Sequence, residues 1–205
     1  MLKRLALFLI LSFFAIIPAS AMQRLLTPQE TELINQISEY NSNIKTMVGR
    51  FLQIDTNGTR VEGVFYLERP NKIRFKYAPP SREEIISRGK GFYIIDRREE
   101  TKYAYPQDQI PLRQFLAQDI DLLAANIIDV TSSNDYISIS LADETVIGTV
   151  EVALIFDIAT KDLKQWTLTE PSGAQLTFSL YDVQKNLEIP RSFFSIPVLF
   201  KSKNL

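Results

Sequence analysis

Cysteine and histidine are both missing from this 205-residue chain. Without cysteine there is no disulfide, no thiolate nucleophile and no thiolate metal site. Without histidine there is no Ser-His triad and no imidazole-liganded zinc, and the commonest general base near neutral pH is gone. Chemistry would then fall to carboxylates. The candidates are Glu83-Glu84, Glu99-Glu100, Asp119 with Asp121, and Asp143-Glu144; each lies near a turn or an element end and reads more simply as a solvated charge. The SRGKG run at Ser87–Gly91 lacks the GxxxxGK[ST] spacing and sits between two strand-like runs, so it reads as a turn and not as a phosphate loop. A strong charge of either sign is also lacking, the formal net charge being −1. That gives no case for nucleic acid or for a strongly anionic partner. No enzyme activity, cofactor or metal is expected.

A membrane-length apolar run is absent too, but a shorter one opens the chain. Lys3 and Arg4 precede Leu5–Ile17, in which only Ser12 is polar, and Pro18-Ala19-Ser20-Ala21 follows. Charged, apolar and small-residue segments in that order describe a secretory signal peptide. The apolar part is well short of the roughly 20 residues that span a bilayer. We expect cleavage after Ala21, residues 1–21 as the signal peptide, and residues 22–205 as one exported domain in the periplasm. The apolar run is not followed by a cysteine, so the chain is not expected to be lipid-anchored itself.

The exported part begins with helix signals. Thr27-Pro28-Gln29-Glu30 offers an N-cap, a first-turn proline and a capping-box glutamate, and Leu33, Ile34, Ile37, Tyr40 and Ile44 follow at helical spacing. The spacing predicts a helix over 28–42. After it the period becomes two. Strands are expected at 47–55, 59–68, 72–77, 84–88, 91–96 and 101–105, with a hairpin turn at Asn57-Gly58. One or two short helices are expected among Leu112, Phe115, Leu116, Ile120, Leu122 and Leu123. Further strands are expected at 127–131, 136–141, 148–157, 163–169 and 174–182, with a last short one at 193–196. An antiparallel meander of about eleven strands must curl, and its apolar concave face needs a cover. Several strands, such as Val64–Leu67, Phe92–Ile95 and Val152–Phe156, are apolar on both faces. Either the sheet packs on both sides or one face lines a cavity; pattern alone leaves a filled barrel and a lipid pocket both open.

The stretch GVFYLERPNKIRFKYAPP, residues 63–80, resembles the second and third strands of the LolA family of periplasmic outer-membrane lipoprotein carriers. That pattern is a glycine, an apolar strand, Arg-Pro, an apolar-aromatic strand and a proline turn. Ile85–Lys90 stands where the family has an apolar pair followed by Ser-Asp-Gly-Lys, with Arg88 in place of the aspartate. Phe92–Asp96 is similar to its aromatic strand and Pro111–Leu116 to its next helix, while Phe156-Asp157, Leu163, Trp166 and residues 186–194 fit more loosely. Glu170 stands where an aspartate before glycine is common, and the short stretch after Pro197 is expected to lack a terminal strand seen in some members.

The resemblance implies an unclosed β-barrel with a helical lid. It implies a monomeric chaperone that takes lipoproteins from an inner-membrane lipoprotein-releasing ABC transporter, shields their acyl chains, and delivers them to an outer-membrane receptor where one is present. The family's lid-contacting arginine, directly before proline, carries over to Arg69. Parity then sets Phe65, Leu67 and Arg69 on one face with Ile73, Phe75 and Tyr77 across the turn, joined by Ile85 and Ile94 from neighbouring strands and by Leu112, Phe115 and Leu116 from the lid. Without the resemblance, Arg69 reads as a surface turn residue paired with an acid. The alternatives for the whole chain are a periplasmic lipid- or glycolipid-binding protein and a lipid-sensing regulator of the same fold.

Overall fold

A computed structural model describes residues 24–111, 113–145 and 148–203. The signal peptide expected at 1–21 lies outside the described residues, as does Leu112. Helix α1, Pro28–Asn43, starts as its sequence dictates: the Thr27 hydroxyl accepts from the Glu30 amide at 3.2 Å, and the Glu30 carboxylate accepts from the Thr27 amide at 2.8 Å.

Twelve strands follow among the described residues: β1 Thr46–Asp55, β2 Arg60–Glu68, β3 Lys72–Tyr77, β4 Glu83–Arg88, β5 Gly91–Asp96, β6 Thr101–Pro106, β7 Ile127–Ser132, β8 Tyr136–Thr145, β9 Gly148–Asp157, β10 Leu163–Thr169, β11 Gln175–Lys185 and β12 Lys201–Lys203. They form one sheet ordered β12-β6-β5-β4-β3-β2-β1-β11-β10-β9-β8-β7. Every pairing is antiparallel except β12 with β6. The two outer strands, β12 and β7, do not pair with each other, so the barrel is unclosed.

Two meanders, β1–β6 and β7–β11, are thus stitched together by the β1–β11 ladder. Two inward-facing glycines let large rings fill the concave side near that seam. A Cβ on Gly49 would lie 2.8 Å from the Phe65 ring, and one on Gly63 would lie 2.5 Å from the Phe51 ring. Phe65 and Phe51 are the residues paired across from those glycines, and both are buried.

Residues 107–126 cross the open side. They contain two 3-10 turns, Gln107–Gln109 and Arg113–Leu116, of which only the second falls where the sequence predicted short helices. Phe115, Leu116, Ile120 and Leu122 are buried against Ile34 and Ile37 of α1 and the concave face of the sheet.

The last expected strand, 193–196, is a 3-10 turn at Arg191–Phe194 instead. Adjacent residues in a strand point to opposite faces, but Phe193 and Phe194 both pack on the sheet. The Phe193 ring meets Tyr66 with centroids 4.7 Å apart, and Phe194 is buried. The terminal strand expected to be lacking is present as β12, which pairs with β6 from Lys201 to Lys203. This C-terminal segment covers the convex face. Ile86 and Ile95, which point outward, are fully buried, as is Phe194, and Ile189 is buried. On the first-half strands, such as β4 and β5, both faces are therefore covered, whereas β9 alternates buried and less buried positions.

Candidate apolar cavity and lid

Period-two strands place one side chain in two on the concave face, and that face encloses a cavity of about 190 Å³. Phe65 and Leu67 of β2 face Phe75 and Ile73 of β3, with Ile85 of β4 beyond them; all five line the cavity. The opposite wall is Trp166 and Leu168 of β10 with Leu176, Phe178 and Leu180 of β11. Trp166 and Phe178 stack with centroids 4.9 Å apart, and Phe75 meets both rings. Phe115 and Leu116 close it from the lid. Sequence reasoning missed the β10–β11 wall, although Trp166 and Leu168, and Leu176, Phe178 and Leu180, alternate at period two and could have been read as a face.

Two predicted cavity residues are not among those lining it. Tyr77 turns its hydroxyl to Gln53 Oε1 at 2.5 Å and its ring to Phe51, and burial followed by the nearby Glu83 carboxylate pushes its pKa up. Ile94 is half-buried across from Ile85 on the same face.

Arg69 is buried at the end of β2, and no carboxylate pairs with it among the described residues. Its Nε donates to the Phe115 carbonyl at 3.1 Å, and one terminal nitrogen donates to the Ile44 carbonyl at 2.7 Å. Its guanidinium sits 4.7 Å from the centre of the Phe115 ring. The other terminal nitrogen, Nη2, is buried without a partner. Burial pushes the Arg69 pKa down to about 10, so the group stays charged at neutral pH. One side chain thereby ties the β2–β3 turn to the lid and to the end of α1.

Other polar groups pin the lid along its length. The Asn71 amide donates to the Leu116 carbonyl at 2.9 Å, and Gln107 Nε2 donates to the Asn71 carbonyl at 3.0 Å. Arg113 donates to both carboxylate oxygens of Asp143 in β8, at 2.5 and 2.9 Å. On α1, Ser42 Oγ accepts from the Ile120 amide at 2.8 Å and Ser38 Oγ from the Leu122 amide at 3.2 Å. Of these pins only Asp143 was singled out from the sequence, and there as a solvated charge rather than as a lid contact.

Four of the carboxylates weighed as catalytic candidates, Glu84, Asp121, Asp143 and Glu144, have structural partners. Asp121 accepts from the Leu123 and Ala124 amides, and Glu144 from the Thr149 hydroxyl. Glu84 is buried on the convex face between Arg74 and Arg97, with contacts of 2.9 and 2.7 Å. Among the described residues no group of three or more acidic side chains is placed to hold a metal ion.

The sequence profile of the family described as outer membrane lipoprotein carrier protein LolA matches residues 42–197, most of the chain. The chain belongs to the LolA family. An outer-membrane lipoprotein carrier protein of Alkalilimnicola ehrlichii is 33% identical to it over 66 residues, which is 30% of this chain and 31% of that protein. The match thus spans about a third of that relative's length. Two solved structures share the LolA-like fold at 8% identity. An uncharacterized conserved protein from Thermus thermophilus superposes with a TM-score of 0.50 over 85% of this chain and 99% of its own. A DUF1329 family protein from Desulfovibrio piger does so with a TM-score of 0.50 over 80% and 95%.

Proposed function

We propose that this LolA-family chain is a periplasmic carrier that shields the acyl chains of lipoproteins between release from the inner membrane and delivery to the outer membrane. Its partners are then acylated lipoproteins, an inner-membrane ABC transporter that releases them and, where one exists, an outer-membrane receptor. The role calls for no catalytic residue and no cofactor. The observation that carries the reading is the apolar cavity closed by a lid that a buried, acid-free arginine holds through carbonyl oxygens.

The energetics suit transport. Each buried CH₂ contributes roughly 0.8 kcal/mol, so one long acyl chain left in water would cost on the order of 10 kcal/mol. The attraction of an apolar wall is non-directional, so a larger apolar receptor can take the cargo over. The closed cavity of about 190 Å³ is below the roughly 300–1,000 Å³ of typical ligand pockets. Loading therefore requires the lid to move. Opening breaks the two Arg69 bonds, but it also returns a buried guanidinium with one unpaired nitrogen to water. The closed state is held, but not deeply.

Native mass spectrometry of the purified protein mixed with a triacylated lipoprotein tests this. We expect a one-to-one complex with the acylated protein and none with its unlipidated form. Binding of a free lipid or glycolipid alone would replace the cargo, and binding of nothing apolar would leave a lipid-independent regulator of the same fold as the better reading.

A further inference from the structure

On the convex face, outside the lid, lies a second hollow of about 190 Å³ that is lined by three cations and one ring: Lys72, Arg88, Arg191 and Phe194. The fold forces these charges together. Extending the Ile73–Ser87 register by one residue sets Lys72 of β3 beside Arg88 of β4, both pointing outward. The 3-10 turn Arg191–Phe194 then lays Arg191 over the same spot, because Phe193 and Phe194 anchor that turn on the sheet. Phe194 forms the floor, with the Lys72 ammonium 5.9 Å from its ring centre.

Like charges on neighbouring strands repel, and only part of this charge is answered within the chain. Lys72 pairs with Glu68. The side chains of Arg88 and Arg191 are exposed and have no hydrogen-bond or ion-pair partner among the described residues. Two free guanidinium forks and an ammonium around a concave, aromatic-floored hollow match the oxygens of a phosphate group better than a single carboxylate.

We propose that Lys72, Arg88 and Arg191 form a binding site for a phosphate group, carried on an anionic phospholipid headgroup or free in solution. Its place supports the first source. Lys72 follows the Arg69–Asn71 turn directly, and that turn touches the lid through the Asn71 amide and the Leu116 carbonyl. A membrane surface held at this hollow would lie beside that turn and its contact with the lid. The site does not depend on what the cavity carries.

The test uses the wild-type protein and the double variant Arg88→Gln/Arg191→Gln. Both positions are exposed and unpartnered, so the variant is expected to melt with the wild type. Inorganic phosphate is titrated while backbone amide resonances are followed, with sodium chloride at matched ionic strength as control. Sedimentation is measured with vesicles of phosphatidylcholine alone and of phosphatidylcholine mixed with phosphatidylglycerol. We expect phosphate-specific shifts confined to residues around Lys72, Arg88 and Arg191. We expect sedimentation only with the anionic vesicles, weakened on the order of tenfold or more in the variant. Phosphate shifts without vesicle binding would assign the site to free phosphate. Equal shifts with chloride, or vesicle binding unchanged in the variant, would overturn the proposal.

Discussion

Replacing Arg69 by leucine isolates the lid tie. In the closed state the wild-type guanidinium makes two hydrogen bonds, to the Phe115 and Ile44 carbonyls. Bonds with a charged donor contribute roughly 1.5–3 kcal/mol each, about 3–6 kcal/mol together. Those values are already net of ordinary desolvation, and opposing them is the unpartnered Nη2, at about 1–3 kcal/mol. The difference left to hold the lid is on the order of 1–3 kcal/mol, which corresponds to a factor of roughly 5–150 in the opening equilibrium. Leucine removes both the bonds and the buried charge, and it leaves the Phe115 and Ile44 carbonyls unpaired while the lid stays shut. Opening should therefore rise about ten- to a hundredfold while global stability changes little. Native-state hydrogen exchange reads this directly, since the Asn71 amide is bonded to the Leu116 carbonyl and the Ile120 amide to Ser42 Oγ. Exchange at these sites should quicken by that factor, with amides of the β8–β9 ladder as the unchanged control. An apolar probe should bind correspondingly tighter, because the competent open state is more populated. Unaltered protection at Asn71 would refute the idea that Arg69 closes the lid.

Three further outcomes follow from other contacts. Arg113→Ala removes a bidentate but partly exposed pair with Asp143, so its effect on lid protection should stay within roughly 1 kcal/mol and fade in molar salt; a larger, salt-independent loss would mean that Arg113 packs more than it pairs. Gly63→Ala places a Cβ 2.3 Å from the Lys76 carbonyl and 2.5 Å from the Phe51 ring, and thermal melting should show a loss of about 1–3 kcal/mol or more; an unchanged melt would contradict the tight seam. Burial opposes ionisation of Glu84, but Arg97 and Arg74 outweigh it and hold its pKa below the ordinary 4.5. A lowered folded-state pKa means that this stabilisation is complete above 4.5 and is lost as pH falls through the lower value. Amide exchange in residues 187–200 should thus quicken only in acid, and quickening at neutral pH would be the wrong sign.

The elements that the sequence specifies well are those set by neighbours along the chain. Thr27, Pro28 and Glu30 start α1, and the alternation of Lys72, Arg74 and Lys76 with Ile73, Phe75 and Tyr77 places β3 at its observed bounds. Parity from Phe65 to Phe75 set the near wall of the cavity without knowledge of any long-range contact. What was not legible depends on partners far apart in the chain. Ser38 and Ser42 look like ordinary polar positions of an amphipathic helix, and only the fold shows that they accept from Ile120 and Leu122 of the lid. Phe193 and Phe194 read as strand residues until the convex face of β2 and β3 presents Tyr66 and Lys72 to them.

The choice posed by the doubly apolar strands, a second packed face or a ligand cavity, was therefore a false alternative. On β2 to β5 both hold, because one face lines the cavity while the other is buried beneath the C-terminal segment. This arrangement would keep the wall of the cavity rigid during the lid movement proposed above. Phe75 and Ile85 belong to strands clamped from outside by Arg74, Glu84 and Arg97, whereas the lid is held by a handful of polar pins and by the burial of Phe115, Leu116, Ile120 and Leu122. A rigid wall with a weakly latched cover directs opening to residues 107–126, where the pins are few and each is worth only a few kcal/mol or less.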